Sequence, residues 1–267
     1  MKNFMVANVS KHKRYDGDKV KLLIKAQIEN SLDLGWNLND IILLANFDYE
    51  FMGVKALKTK LNKNCLTGSK IFGIKYLFDN NIVDDDEVIW AHDLDAWQNV
   101  WFEYPKIKDV GITCYSTSKF NGGSIFWRKR AKDIIDEVVD IINNNNENKE
   151  EPTLNDVLKS KKYKDRVEIV NRTFNVGCSG YVVRWMDSIK PLRVCHFHPY
   201  NSTAWETHVL DRNGLDVVGI TPRLEKIIRK YYSNLSTKLS DKGKRAQIER
   251  KERRLAGLPS KPRKGEK

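Results

Sequence analysis

Residues 88–99 read VIWAHDLDAWQN. Val88, Ile89, Trp90 and Ala91 run straight into His92-Asp93-Leu94-Asp95. A short unbroken apolar run is the mark of a strand covered on both faces. This one closes on two carboxylates two residues apart. Side chains at i and i+2 of an extended segment point the same way, so Asp93 and Asp95 are expected to converge on one partner. In open α/β sheets ligands bind beyond the carboxyl ends of the strands, which is where both fall. Two carboxylates held together repel unless a cation or protons compensate. Mn²⁺ or Mg²⁺, which prefer oxygen ligands, would answer that repulsion while holding phosphates. Asp-x-Asp by itself is a common strand end, so the reading depends on the rest of the chain. The run Asp84-Asp85-Asp86-Glu87 precedes the strand and reads as a solvated turn at its opposite end.

Outward from that segment, strands and helices alternate. Residues 2–10 read as a first strand. In 18–36, Val20, Leu23, Ile24 and Ile28 have helical spacing, with Asp18 as N-cap and Gly35 ending the run. Residues 40–47, DIILLANF, are an unbroken apolar strand of the parallel kind. The spacing predicts a helix over 69–82 with Ser69 as its cap. Residues 109–116 read as a strand, and 121–129, NGGSIFWRK, as a turn into another that buries Ile125 with Trp127 or Phe126. Two helices follow, the second opened by EPTLNDVL (151–158) with Pro152 in its first turn. Residues 166–177 and 192–200 are late strands. The class is therefore α/β.

The chain has 267 residues and is 40% hydrophobic, enough for one large domain with an appendage. Its net charge of +12 is concentrated at one end. Residues 221–267 hold 16 Lys/Arg against 5 Asp/Glu, a net of +11, and residues 1–220 hold 31 against 30, a net of +1. This divides the chain into a near-neutral body, 1–220, and a basic segment, 221–267, read as a helix running into a disordered tail. Concentrated positive charge favours a polyanion: nucleic acid, an acidic membrane face or an acidic polymer. Cys65, Cys114, Cys178 and Cys195 form no Cys-x-x-Cys pair, which argues against a zinc knuckle and for reduced thiols. With neither a signal-like apolar core nor a membrane-length apolar run, a cytoplasmic protein is expected.

Three further stretches carry chemistry. Asn121-Gly122-Gly123 lets a backbone turn or approach a ligand closely. Glu151, Asn155 and Asp156, at i, i+4 and i+5 of a helix start, could bond a polyhydroxy ligand, or Glu151 could simply complement the helix dipole. His196 and His198 share one face of a strand, and histidine is a common metal ligand. Each alone has a plain structural reading: a hairpin turn, a cap, two ordinary histidines.

Taken in order, HDLD at 92–95, FNGGSIFW at 120–127, EPTLNDVL at 151–158 and HFHPYNSTAW at 196–205 resemble the GT-A type of nucleotide-sugar glycosyltransferase. The likeness covers roughly residues 1–210. It implies a Rossmann-like mixed sheet flanked by helices and a metal-dependent hexosyl- or pentosyltransferase. In that family the Asp-x-Asp holds Mn²⁺ or Mg²⁺ with the donor diphosphate. The resemblance makes Asp95 the principal metal ligand, with Asp93 on the metal or the ribose. His196 completes the site, because it matches the family's His-Phe, with His198 as second choice. Asn121, Gly122, Gly123 and Asn155 would line the donor pocket, Lys70 would help hold the donor (a UDP-sugar), and Glu151 or Asp156 would orient or deprotonate the acceptor hydroxyl. Two departures stand out: the helix motif is less acidic than in many members, and Lys-Pro is missing before Trp205.

The acceptor is read only from the basic segment. The likeness extends to bacteriophage enzymes that glycosylate modified bases in DNA, which implies a hydroxymethylated pyrimidine acceptor and a host-cytoplasmic location. Trp97, Trp101 and Tyr104 could then pack on a base or sugar, or belong to the core or its rim. A cell-surface polysaccharide or lipid-linked sugar is the alternative acceptor. Ile227, Ile228, Tyr231 and Tyr232 would serve either docking on the body or membrane contact. A haloacid-dehalogenase-like phosphatase is disfavoured, because Asp95 lacks the following Gly-Thr. A non-catalytic nucleic-acid-binding protein would account for the tail but leave HDLD and the histidines unused.

Overall fold

The computed structural model describes residues 1–10, 16–61, 69–116, 119–145, 150–177, 188–197 and 220–232, with 249, 252, 256 and 257 in the basic segment. His198, Trp205, Cys65, Cys178 and most of the basic segment lie outside the described residues. In chain order the elements are β1 (Lys2–Ala7), α1 (Gly17–Asp33), β2 (Ile41–Ala45), β3 (Glu50–Phe51), β4 (Val54–Lys55), β5 (Leu57–Lys58), α2 (Ser69–Asp79), β6 (Val88–His92), β7 (Ala96–Gln98), β8 (Val110–Ser116) and β9 (Lys119–Arg128). There follow α3 (Lys132–Asn144), α4 (Glu150–Lys159), β10 (Val167–Ile169), β11 (Val176–Gly177), β12 (Val194–His196) and α5 (Pro222–Tyr231).

The main sheet has the order β10-β8-β9-β6-β1-β2-β5. β1 runs parallel to β2 and β6, whereas β9 is antiparallel to both β6 and β8. The expected mixed α/β sheet is therefore present. Its strands alternate sides with period two. Phe4, Ile89, Ala91, Ile125 and Trp127 pack under α2, α3 and α4. Met5, Ala7, Val88, Trp90 and Phe126 pack on the other face with Val20, Ile24 and Ile28 of α1. Trp127 and Phe126 are thus both buried, on opposite faces. α2 lies close on β1 because Gly73 has no side chain: a Cβ there would sit 2.8 Å from Phe4 and Val6.

Local chemistry moved several boundaries. Asp16, not Asp18, caps α1, its carboxylate accepting from the amides of Asp18 and Lys19. Gly35, at φ +90°, follows the helix as read. α2 stops at Asp79 rather than 82, because Asn81 adopts φ +50°. Asn121-Gly122-Gly123 is no turn; all three residues lie inside β9. His92-Asp93-Leu94-Asp95 is not extended throughout. β6 ends at His92, and the Ala96 amide donates to the Asp93 carbonyl at 3.0 Å, closing a tight turn into β7.

That turn sets up a second, smaller sheet in the order β11-β12-β7. β12 pairs antiparallel with β7 and parallel with β11. α5 docks beside it. Leu224 and Ile228 join Trp97, Cys195, Phe197 and Leu23 in one apolar cluster. The Thr221 amide donates to Asn99 Oδ1 at 2.7 Å, and Arg223 reaches Asp33 at 2.8 Å. Ile227 and Ile228 are buried against the body, which leaves neither for a membrane. Trp97 is a core residue, whereas Trp101 and Tyr104 are exposed. Among the described residues no helix is long and apolar enough to cross a membrane. Cys114 and Cys195 are buried and free.

Candidate active site

Sheet register brings the chemical residues together. β9 runs antiparallel to β6 with Ser124 opposite His92, so Gly122 and Gly123 flank the start of the HDLD turn. The Asp93 amide donates to the Gly123 carbonyl at 2.9 Å. On the far side of the turn, β7 pairs with β12 so that Ala96 stands opposite His196. The Phe197 amide donates to the Asp95 carbonyl, also at 2.9 Å. Residues a hundred positions apart are thereby locked beside the carboxylates.

Asp93, Asp95 and His196 each place one ligand atom within 4.8 Å of the other two. His196 Nε2 lies 3.3 Å from Asp95 Oδ1 and 3.7 Å from Asp93 Oδ2. His196 Nδ1 lies 3.1 Å from Asn175 Oδ1, an acceptor. An oxygen there favours a hydrogen on Nδ1, and in that neutral tautomer the Nε2 lone pair faces the two carboxylates. In that state a proton or a metal cation is what reconciles Nε2 with the two carboxylates. Burial alone would lower the His196 pKa, but Asp95 and Asp93 outweigh it and raise the value above the ordinary 6.5. Two carboxylates and one imidazole form a hard oxygen-and-nitrogen donor set, which fits Mn²⁺ or Mg²⁺. Gly123 is required by the same packing: any Cβ there would overlap the His196 ring. What reads in the sequence as turn residues is clearance for an imidazole.

Lys70, from the first turn of α2, is 4% exposed. It donates to Asp93 Oδ1 at 2.5 Å and to the Gly122 carbonyl. Burial alone would lower its pKa; Asp93, by charge and hydrogen bond, is the main cause that reverses this and raises it. Glu150 is the acidic side chain α4 turns inward, and a Cβ on Gly122 would lie 3.9 Å from its Oε1. Burial pushes its carboxyl up to about 8 against the pull of Lys70, so it is largely protonated at neutral pH. Its Oε2 is buried without a partner, as is Glu151 Oε1.

The other α4 candidates are placed differently. Asn155 is buried, and its amide bonds the chain itself: Oδ1 accepts from the Phe120 amide at 2.7 Å, and Nδ2 donates to the Glu151 carbonyl at 2.8 Å. Asp156 faces solvent. Glu150 and Asn175 were missed by the sequence reading. Helical phase could have found the first, since Glu150 lies four residues before the buried Leu154 and on the stripe of Val157 and Leu158. Nothing local marks Asn175.

No protein-family model matches the chain, and no curated protein matches it. Solved structures do. An active-site variant of LgtC aligns over 91% of this chain and 99% of its own, at 12% identity and TM-score 0.51. The chain has the GT-A fold. GlyE of Streptococcus pneumoniae TIGR4 aligns with 87% of this chain and 64% of its own at TM-score 0.49 and 14% identity. A glycosyltransferase involved in glycosylation of the major capsid of PBCV-1 aligns with 73% of this chain and 93% of its own at TM-score 0.48 and 13% identity. In this GT-A fold the carboxyl end of β6 beside β1 and β9 is where a ligand belongs, and that is where Asp93, Asp95 and His196 meet.

Proposed function

We propose that the chain is a glycosyltransferase that takes a sugar from a nucleotide-sugar donor, a UDP-sugar first among them. The observation that carries this is the convergence of Asp93, Asp95 and His196 at the ligand end of β6 in a GT-A sheet. Asp95 and His196, with Asp93, would hold Mn²⁺ or Mg²⁺. Bound there, the ion supplies Lewis-acid stabilisation of the departing nucleoside diphosphate.

The chain's own residues do the rest. Lys70 fixes Asp93 Oδ1, which leaves Oδ2 turned toward His196. Gly122 and Gly123 hold the backbone open beside the carboxylates, and Asn121 Oδ1 accepts from the Gly123 amide at 3.0 Å, stiffening that segment. Glu150, protonated at neutral pH, can donate a hydrogen bond to a sugar hydroxyl, which an ionised carboxylate cannot. Glu151, whose Oε1 is buried without a partner, would orient an acceptor hydroxyl; Asp156, facing solvent, is the weaker choice.

The basic segment supports a polyanionic acceptor, with hydroxymethylated DNA the first to try. The test is nucleoside diphosphate release from a panel of nucleotide sugars with Mn²⁺, with and without that DNA, and Asp95→Asn as control. Release that needs Asp95 and metal supports the transferase, and stimulation by DNA supports the acceptor. Release without DNA stimulation turns the search to polysaccharide and lipid-linked acceptors. DNA binding that survives Asp95→Asn, with no release from any donor, favours a nucleic-acid-binding protein.

A further inference from the structure

We infer that Asn175 is the positioning residue that makes His196 a cation ligand rather than a hydrogen-bonded bridge; this rests on the metal-site reading above. Two arrangements fit the same atoms. With Asn175 Oδ1 toward the ring, the hydrogen sits on Nδ1 and the Nε2 lone pair faces Asp95 and Asp93. With the amide reversed, Nδ2 donates to Nδ1, the hydrogen moves to Nε2, and His196 donates to Asp95. The second closes a histidine–carboxylate hydrogen bond that leaves no Nε2 lone pair for a metal. The structure turns Oδ1 toward Nδ1, the amide orientation of the first.

The backbone holds the Asn175 side chain against the ring. Residues 172–174 form a 3-10 turn, and the Asn175 amide donates back to the Arg172 carbonyl at 2.9 Å. β11 follows at once and pairs in parallel with β12, Gly177 beside His196. A Cβ on Gly177 would stand 2.7 Å from His196 Cβ, so the strands close only because residue 177 is glycine. Asn175 is 1% exposed, and its Nδ2 is buried with no partner. An unpartnered buried donor is costly, and a packing role alone would be met by leucine without that cost. The amide oxygen toward His196 is what the asparagine adds. Partners of this kind orient the ring and raise its basicity toward the metal.

The test uses the full chain and Mn²⁺ alone, with no nucleotide sugar. Mn²⁺ affinity is titrated calorimetrically for wild type, Asn175→Leu and Asn175→Asp. Long-range proton–nitrogen correlation spectra of the metal-free protein, recorded above the pH at which His196 loses its charge and assigned against His196→Gln, report which ring nitrogen carries the hydrogen. The expected result is a hydrogen on Nδ1 in wild type, affinity about 10–100-fold weaker in Asn175→Leu, and affinity retained in Asn175→Asp, which keeps the acceptor. A hydrogen on Nε2 in wild type overturns the inference, as does unchanged Mn²⁺ binding by Asn175→Leu. If Asn175→Leu fails to fold, the wild-type spectrum and Asn175→Asp decide, and loss of binding in Asn175→Asp sinks it. Wild type that binds neither Mn²⁺ nor Mg²⁺ defeats the metal-site reading itself, a distinguishable outcome.

Discussion

The ammonium of Lys70, almost wholly buried, stands 2.5 Å from Asp93 Oδ1, and the two partners differ tenfold in exposure: 4% for the lysine side chain and 40% for the aspartate. Removing one partner is therefore not equivalent to removing the other. Without Lys70, Asp93 can still be hydrated. Without Asp93, a buried ammonium keeps only the Gly122 carbonyl and the neighbouring acids. Asp93→Asn is expected to cost about 1–3 kcal/mol, more than Lys70→Met, in urea denaturation of metal-free protein. Equal costs would mean that the pair is more hydrated than its burial implies.

Gly123 and His196 should behave as one unit. Gly123→Ala forces the imidazole aside, whereas an alanine in this strand meets no other obstacle closer than Asn121 Oδ1 at 3.3 Å. The substitution should destabilise by about 1–3 kcal/mol through overpacking. Most of that loss should vanish in the Gly123→Ala/His196→Ala pair. A double-mutant cycle on thermal or urea stability reads the coupling, and additive costs would contradict the overlap.

Metal should stabilise the folded chain through Asp95. A ligand that binds only the native state adds about 2.7 kcal/mol at a hundredfold excess over its Kd. Mn²⁺ is expected to raise the Tm of wild type, EDTA to reverse the rise, and Asp95→Asn to abolish it. A Tm that rises equally in Asp95→Asn would place the ion elsewhere.

Glu150 predicts a pH dependence. Its carboxyl is raised by burial from the ordinary 4.5 to about 8 in the fold. The sign follows from linkage: the folded state holds the proton more tightly, so this group's stabilisation is complete below pH 4.5 and is lost as pH rises through about 8. Glu150→Gln keeps a neutral amide there and should flatten that alkaline limb. Chemical denaturation between pH 5 and 9 checks it; parallel curves for the two proteins would show that Glu150 is ionised throughout.

The sequence by itself determined the central strands of the main sheet and their burial, though not the short β3, β4, β5 and β7. Unbroken apolar runs at Ile41–Ala45 and Val88–Ala91 could only be sheet covered on both sides, and they are. The same run located the two carboxylates, because in an open α/β sheet the carboxyl ends of the strands are the ligand end. Helical phase placed α1 and α3 for the same reason: the periodicity of burial is written in consecutive residues. What needed the tertiary structure was every relation set by strand pairing. β9 beside β6 turned Gly122 and Gly123 from turn residues into clearance for a ring. The β7–β12 pairing carried His196 to Asp95, and the β11–β12 pairing carried Asn175 to His196. Sheet register joins residues distant in the chain through backbone hydrogen bonds, which any residue but proline can make, so no local pattern records it. The burial that makes Glu150 neutral likewise exists only once α4 packs on β9, where Gly122 faces its carboxyl.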